Sequence, residues 1–238
     1  MPWRNCVCPA ALAALLMAAS AGSVAAQDVG GVLDMTGMGI YAMEDAVMEA
    51  AQESVSGRRA TSPVTAKLTR YAPSAERRRA NLARFVEKTR TRDPAGAARL
   101  QSLFASSDVI GAMGKQMAPY GLRTDDAADA YAVWWMNAWL ASRGRNDTPS
   151  QGQITAVKAQ AARALASAPG FAAASDAAKQ ELAEAHLVQA ALIESYVSGA
   201  RGDSKLLRKI ADAVRQGARR SGLDLDTMEL TPTGFVPR

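Results

Sequence analysis

The chain is predicted to be all-α, a single multi-helix domain built around one buried central helix. Apolar residues recur at helical spacing in one segment after another. A Ser, Thr or Asp stands at the head of most of these segments, and glycine or proline closes them. Before the C-terminal tail, no stretch alternates with the period of two that a half-buried strand needs.

Residues 1–26 read as a secretory signal peptide. Arg4 gives a positive start, Pro9 to Ala19 an apolar run, and Ser23-Val24-Ala25-Ala26 the small-residue pattern of a cleavage site, so the mature chain is expected to begin at Gln27. A retained anchor would need roughly 18 to 20 continuous apolar residues, more than this run offers. Both cysteines, Cys6 and Cys8, fall inside the segment, and neither is preceded by the residues of a lipoprotein acceptor. The mature chain would then have no cysteine, which excludes disulfides, thiolate metal sites and a cysteine nucleophile. Alanine is about a fifth of the residues and arginine far outnumbers lysine, the bias of high-GC bacteria; with the leader, this makes the periplasm or the medium the expected location.

Residues 27–70 read as an arm. It opens flexibly at Gly30, Gly31, Gly37 and Gly39 and carries one short helix near 41–55. Its charge reverses along its length: residues 27–57 carry six acids and no base, whereas residues 58–92 carry eleven Lys or Arg against two acids, a net +9. Either the acidic arm folds back on the basic helix, or that helix is open to an external polyanion.

The helical domain is expected over 71–222. Ser74 precedes a helix over 75–90 bearing Leu82, Phe85 and Val86. Asp93-Pro94 starts another, reaching Phe104. Asp108 caps a third, with Val109, Ile110, Met113 and Met117 on one side. The strongest element spans 125–143, with Thr124 as N-cap, acids in its first turn and Gly144 as terminator. From Ala130 to Leu140 its only polar groups are Asn137 and the Tyr131 hydroxyl, so it should be buried on all sides. Eleven residues rise only about 16 Å, too little to span a membrane. The Tyr131, Trp135 and Trp139 ladder, with Trp134, reads as core rather than a glycan platform. Three further helices are expected over 150–167, 176–199 and 204–220, the last two capped by Ser175 and Asp203. The tail, 223–238, reads as extended with one short strand-like segment.

Candidate chemistry is sparse. His186, the sole histidine, lies mid-stripe among Leu182, Ala185, Gln189, Ile193 and Tyr196 and reads as core rather than as a catalytic base. With Gln189 and Asn137 it is expected to form a small buried polar network, because buried polar groups need partners. Arg78, at the edge of its helix's apolar face, should pair with an acid at the head of the central helix, Asp129 in particular. Arg77, Arg84 and Lys88 point away from that face and form a candidate anion-binding surface. Glu194 falls off the apolar stripe, as a solvated acid. One histidine without cysteine leaves no ordinary zinc site, and no EF-hand loop is present, so neither metal nor cofactor is expected. Arg201-Gly202-Asp203 and Asn146-Asp147-Thr148 match an integrin-binding tripeptide and a glycosylation sequon, but both are short enough to arise by chance.

Glu194-Ser195, followed by Ser198-Gly199-Ala200, resembles the glutamate-serine signature of periplasmic lytic transglycosylases over a dozen residues. The spacing to the Gly-Ala segment is too short and the Gly-Leu-Met-Gln continuation is missing. Tyr71-Ala72-Pro73, Asn81-Leu82 with Phe85, Asp93-Pro94, Gly121-Leu122-Arg123 and the run Asp125 to Tyr131 with Trp135 resemble an uncharacterised family of exported bacterial proteins, over about residues 70–220. That resemblance implies an exported helical protein and brings no activity or site residue with it. The sequence thus favours a non-enzymatic envelope or secreted protein that binds an envelope macromolecule or polyanion. The alternative is a hydrolase acting on an envelope polymer through Glu194 or Asp129.

Overall fold

The computed structural model describes residues 44–56 and 66–238. Nine α-helices lie among them: α1 (Glu44–Val55), α2 (Ala66–Thr69), α3 (Ala75–Arg90), α4 (Pro94–Ser106), α5 (Val109–Met117), α6 (Ala127–Ala141), α7 (Gln151–Ser167), α8 (Asp176–Gly199) and α9 (Ser204–Arg220). A two-stranded antiparallel hairpin, β1 (Met228–Thr231) and β2 (Gly234–Pro237), closes the chain. The expected leader and the glycine-rich opening of the arm lie outside the described residues.

The caps form as the residue types predict. Ser74, Asp93, Asp108, Ser150, Ser175 and Asp203 each accept a backbone N–H from the first turn of the helix that follows. Ser150 and Gln153 bond reciprocally in a capping box. Only the start of the central helix differs from expectation, because Asp126, not Thr124, caps α6. The backbone before it is already engaged: Tyr71 N–H donates to the Asp125 carbonyl at 3.2 Å, the Tyr71 hydroxyl donates to the Thr124 carbonyl, and Arg70 bridges Asp126. Those contacts hold residues 124–126 extended, so helix can begin only after them.

Of the 15 residues of α6, all but Asn137 are buried, which makes this helix the centre of the domain. α8 runs along one side of it, α7 and α9 pack on others, and α3 joins α4 to α8. Tyr131, Trp134 and Trp135 are fully buried.

Both ends of the described chain belong to this core. Val47, Met48, Ala50, Ala51 and Val55 of α1 are buried, and the Tyr131 hydroxyl lies 3.4 Å from the Met48 sulfur. The packed domain therefore begins by Glu44 rather than at residue 71. At the other end the extended tail carries two strands, where one strand-like segment is expected, and they pair as a hairpin. Phe235 stacks on Trp135 with ring centroids 4.6 Å apart, and Trp139 Nε1 donates to the Met228 carbonyl at 3.0 Å. Gly234 has φ +106°, and a Cβ there would stand 2.8 Å from Gln160 Oε1. Only glycine both tolerates that φ and leaves room for the glutamine.

Candidate functional site

A cleft opens where α6 emerges between α5, α8 and the loop 146–149. Met113 and Met117, four residues apart on α5, supply one wall. Val133, Met136 and Leu140 of α6 form the floor, and Ala190 and Ala191 of α8, with short side chains, leave the gap unfilled. The cleft has about 80 Å³ of room for the centre of a water-sized sphere. An apolar concavity with few convergent polar groups is the usual form of a small-molecule site.

Glu194 is the buried acid of that cleft, only 6% exposed. Its Oε1 accepts from Asn146 Nδ2 and from Ser198 Oγ, both at 3.0 Å, and Asn146 Nδ2 also donates to Ser198 Oγ at 2.9 Å. Burial pushes its pKa up, while those two donors and the Arg201 charge pull it back. The solvated acid expected from the helical wheel is thus corrected. Gly144, with φ +65°, turns the chain after α6 so that Asn146 folds over α8 and covers Glu194. A wheel drawn on α8 alone contains no trace of a loop 48 residues earlier. The Asn146 amide is spent on these bonds, which is incompatible with its use as a glycan acceptor. Asp147, on the rim, is held by Arg145 at 2.6 and 2.7 Å, and that bond lowers its pKa.

The expected polar network does not form. Asn137 lines the cleft and donates to the Val133 carbonyl at 2.8 Å. His186 stands between aromatic rings, with centroids 5.1 Å from Tyr131 and 5.5 Å from Trp134. Both imidazole nitrogens and both polar atoms of the Gln189 amide are buried without a hydrogen-bond partner. Burial pushes the His186 pKa down to about 3. A neutral imidazole packed on rings is a core residue, as the apolar stripe implies.

Nor does Arg78 meet Asp129. α3 lies along α8, so Arg78 Nε reaches Glu184 Oε1 at 3.0 Å, with Asp108 3.8 Å away. Glu184, 1% exposed, also accepts from Gln180 Nε2 at 3.0 Å and from Asn81 Nδ2 at 2.8 Å. Asp129 instead faces α7, where Lys158 lies 2.9 Å from Oδ1 and the Arg123 N–H donates to Oδ2 at 2.9 Å. Burial pushes Asp129 up to about 6 despite the ammonium. Fully enclosed, it lacks the access that the hydrolase reading asks of it.

Arg77, Arg84 and Lys88 do not make an open row. Arg77 Nε donates to Gln180 Oε1 at 2.9 Å, Arg84 pairs with Glu181, and Lys88 is half-buried. The two arginines therefore work as links from α3 to α8. Exposed cations also stand on α9, at Lys205, Arg208 and Lys209. The α8 partners that draw in Arg77 and Arg84, the Gln180 amide and the Glu181 carboxylate, lie 103 and 97 residues away in sequence, which is why the α3 wheel reads as open.

Among the described residues no group of three or more His, Cys, Asp or Glu is placed to hold a metal ion, and no helix is long and apolar enough to cross a membrane. Residues 7–238 match the model of a family of unknown function, DUF6683. No curated protein and no solved structure matches the chain.

Proposed function

Because the chain belongs to the DUF6683 family, whose function is unknown, the reading has to come from the cleft, and we propose an exported, non-enzymatic binding protein of the bacterial envelope whose ligand occupies it. The observation that carries this is the meeting of an apolar wall with one buried carboxylate, Glu194, whose position is fixed by Asn146 and Ser198. Held groups in an apolar concavity bind with little ordering cost. The leader-like residues 1–26 support export. Intact mass of the protein recovered outside the cytoplasm tests that part, with a chain starting at Gln27 expected and an unprocessed mass overturning it.

Binding is tested by filling the floor. An apolar fragment set should shift the methyl signals of Met113, Met117 and Met136, and Met136→Trp should abolish those shifts while the fold is retained. A cleft that perturbs none of these methyls at millimolar fragment sinks the reading.

Glu194 also favours a second reading, a carboxylate-dependent hydrolase, since a buried acid with raised pKa is suited to general acid chemistry. Glycoside hydrolysis of the usual kind asks for a second carboxylate across the bond. Asp147, the other acid at the cleft, is locked to Arg145. Zymography on cell-wall and ester substrates separates the readings: turnover lost in Glu194→Gln would establish the hydrolase.

A further inference from the structure

Two carboxylates line the cleft, Glu194 within it and Asp147 at its rim, and no Lys, Arg or His side chain does. Asp147 is already paired with Arg145, and the Arg201 charge is felt at Glu194, so Glu194 is the acid that the cleft itself offers. Both bonds to Glu194 end on Oε1, which leaves Oε2 as the carboxylate oxygen not engaged by Asn146 or Ser198. Asn137 donates one Nδ2 hydrogen to the Val133 carbonyl and keeps the second, beside its acceptor Oδ1.

We infer that the cleft selects an apolar molecule bearing a hydrogen-bond donor at one end, a small aliphatic amine being the simplest, with Glu194 Oε2 receiving the donor and the methionine-lined wall receiving the chain. This rests on the reading of the cleft as a binding site and adds the chemistry of its ligand. The size agrees: about 80 Å³ of centre space, against roughly 10–15 Å³ for one water, holds a chain on the order of six heavy atoms. Charge agrees as well. A carboxylate desolvated by burial gains from a cation brought beside it, and Asn146 and Ser198 already hold it in place for that contact. Methionine walls suit such a ligand, because their flexible thioethers adapt to an unbranched chain.

Three probes of one length differ only at the head: hexylamine, 1-hexanol and hexanoate. Each is titrated into the purified protein at pH 7.5, and the methyl signals of Met113, Met117 and Met136 are followed. Hexylamine should bind about tenfold more tightly than hexanol, as a charge-assisted bond adds to the same apolar burial, and hexanoate should bind more weakly than hexanol. In Glu194→Gln the amine and alcohol affinities should converge to within about threefold, with hexanol affected little.

If none of the three probes moves those methyls, the cleft does not bind such ligands and the functional reading falls. Equal binding of hexanol and hexylamine by the unmodified protein overturns donor selection alone, as does tighter binding of hexanoate. An amine preference that survives in Glu194→Gln overturns the role of Glu194. The comparison of the three heads needs no variant, so it decides the matter even where Glu194→Gln does not fold.

Discussion

Gln160 pairs with Phe235 as a strand would: its Oε1 accepts the Phe235 N–H at 2.8 Å and its Nε2 donates to the Phe235 carbonyl at 3.0 Å. A side chain of α7 thereby satisfies both backbone groups of a buried residue in β2, and the hairpin is tied to the helical core. Gln160→Leu should orphan that N–H and carbonyl together and cost about 2 to 6 kcal/mol, since each buried unsatisfied group costs roughly 1 to 3. Urea unfolding measures the loss, and the Phe235 amide should exchange faster than the amides of α6. Unchanged protection of that amide would refute the role given to Gln160.

Trp135 is fully buried against Phe235 in the same region. Trp135→Ala should cost about 3 to 5 kcal/mol, the range for a large aromatic removed from a core. A variant melting with the parent would contradict its place in the core.

Glu184 is a buried carboxylate with three donors, and its worth lies in not being left alone. Arg78→Ala should cost about 3 kcal/mol or more, because it withdraws the charge that neutralises Glu184. A double-mutant cycle should find coupling between Arg78 and Glu184 and none between Arg78 and Asp129. Coupling of Arg78 to Asp129 would restore the pairing that the helical wheel suggests.

His186 makes stability depend on pH in a direction that can be worked out. Its pKa is about 3 in the fold and 6.5 ordinarily, so below pH 6.5 the unfolded chain binds a proton that the folded one refuses. The stability from this group is complete above pH 6.5 and is lost as pH falls toward 3, at about 1.4 kcal/mol per unit. Asp129, raised to about 6 from 3.8, acts in the opposite sense: its contribution is complete below 3.8 and is lost as pH rises through 6. Glu194, also raised, adds to that opposing slope. Replacing His186 separates the two effects. His186→Leu should gain about 3 kcal/mol on the parent between pH 7 and pH 4. The imidazole signals of the parent should not titrate between pH 8 and pH 5, and a midpoint near 6.5 would show the ring to be solvated.

Polyanion binding, where it occurs, should be carried by α9 rather than by α3. Retention on a phosphate polymer at low salt should fall in the triple variant Lys205→Ser, Arg208→Ser, Lys209→Ser, and its salt dependence should flatten with each cation removed. Arg84→Ser should weaken the α3 contact with Glu181 and leave retention unchanged. The reverse pattern would return the anion surface to Arg77, Arg84 and Lys88.

The sequence by itself determined the helices, all of their predicted caps but that of the central helix, and the burial of that helix, because these are local. An N-cap needs an oxygen within three residues, and a helix apolar on every side, as from Ala130 to Leu140, has only the interior to occupy. The aromatic ladder and the core histidine were legible on the same ground. Tertiary structure alone decided which acid meets which base, since Arg78 and Glu184 are 106 residues apart and any acid on a neighbouring helix satisfies the same local rule. It decided too that Glu194 is covered by Asn146, that the tail folds back as a hairpin onto Trp135, and that α1 enters the core. Each is a contact between segments far apart in the chain, and a helical wheel describes one segment at a time. The cleft belongs to this second class: its floor, walls and acid come from different helices, and it exists only where they fail to close on one another.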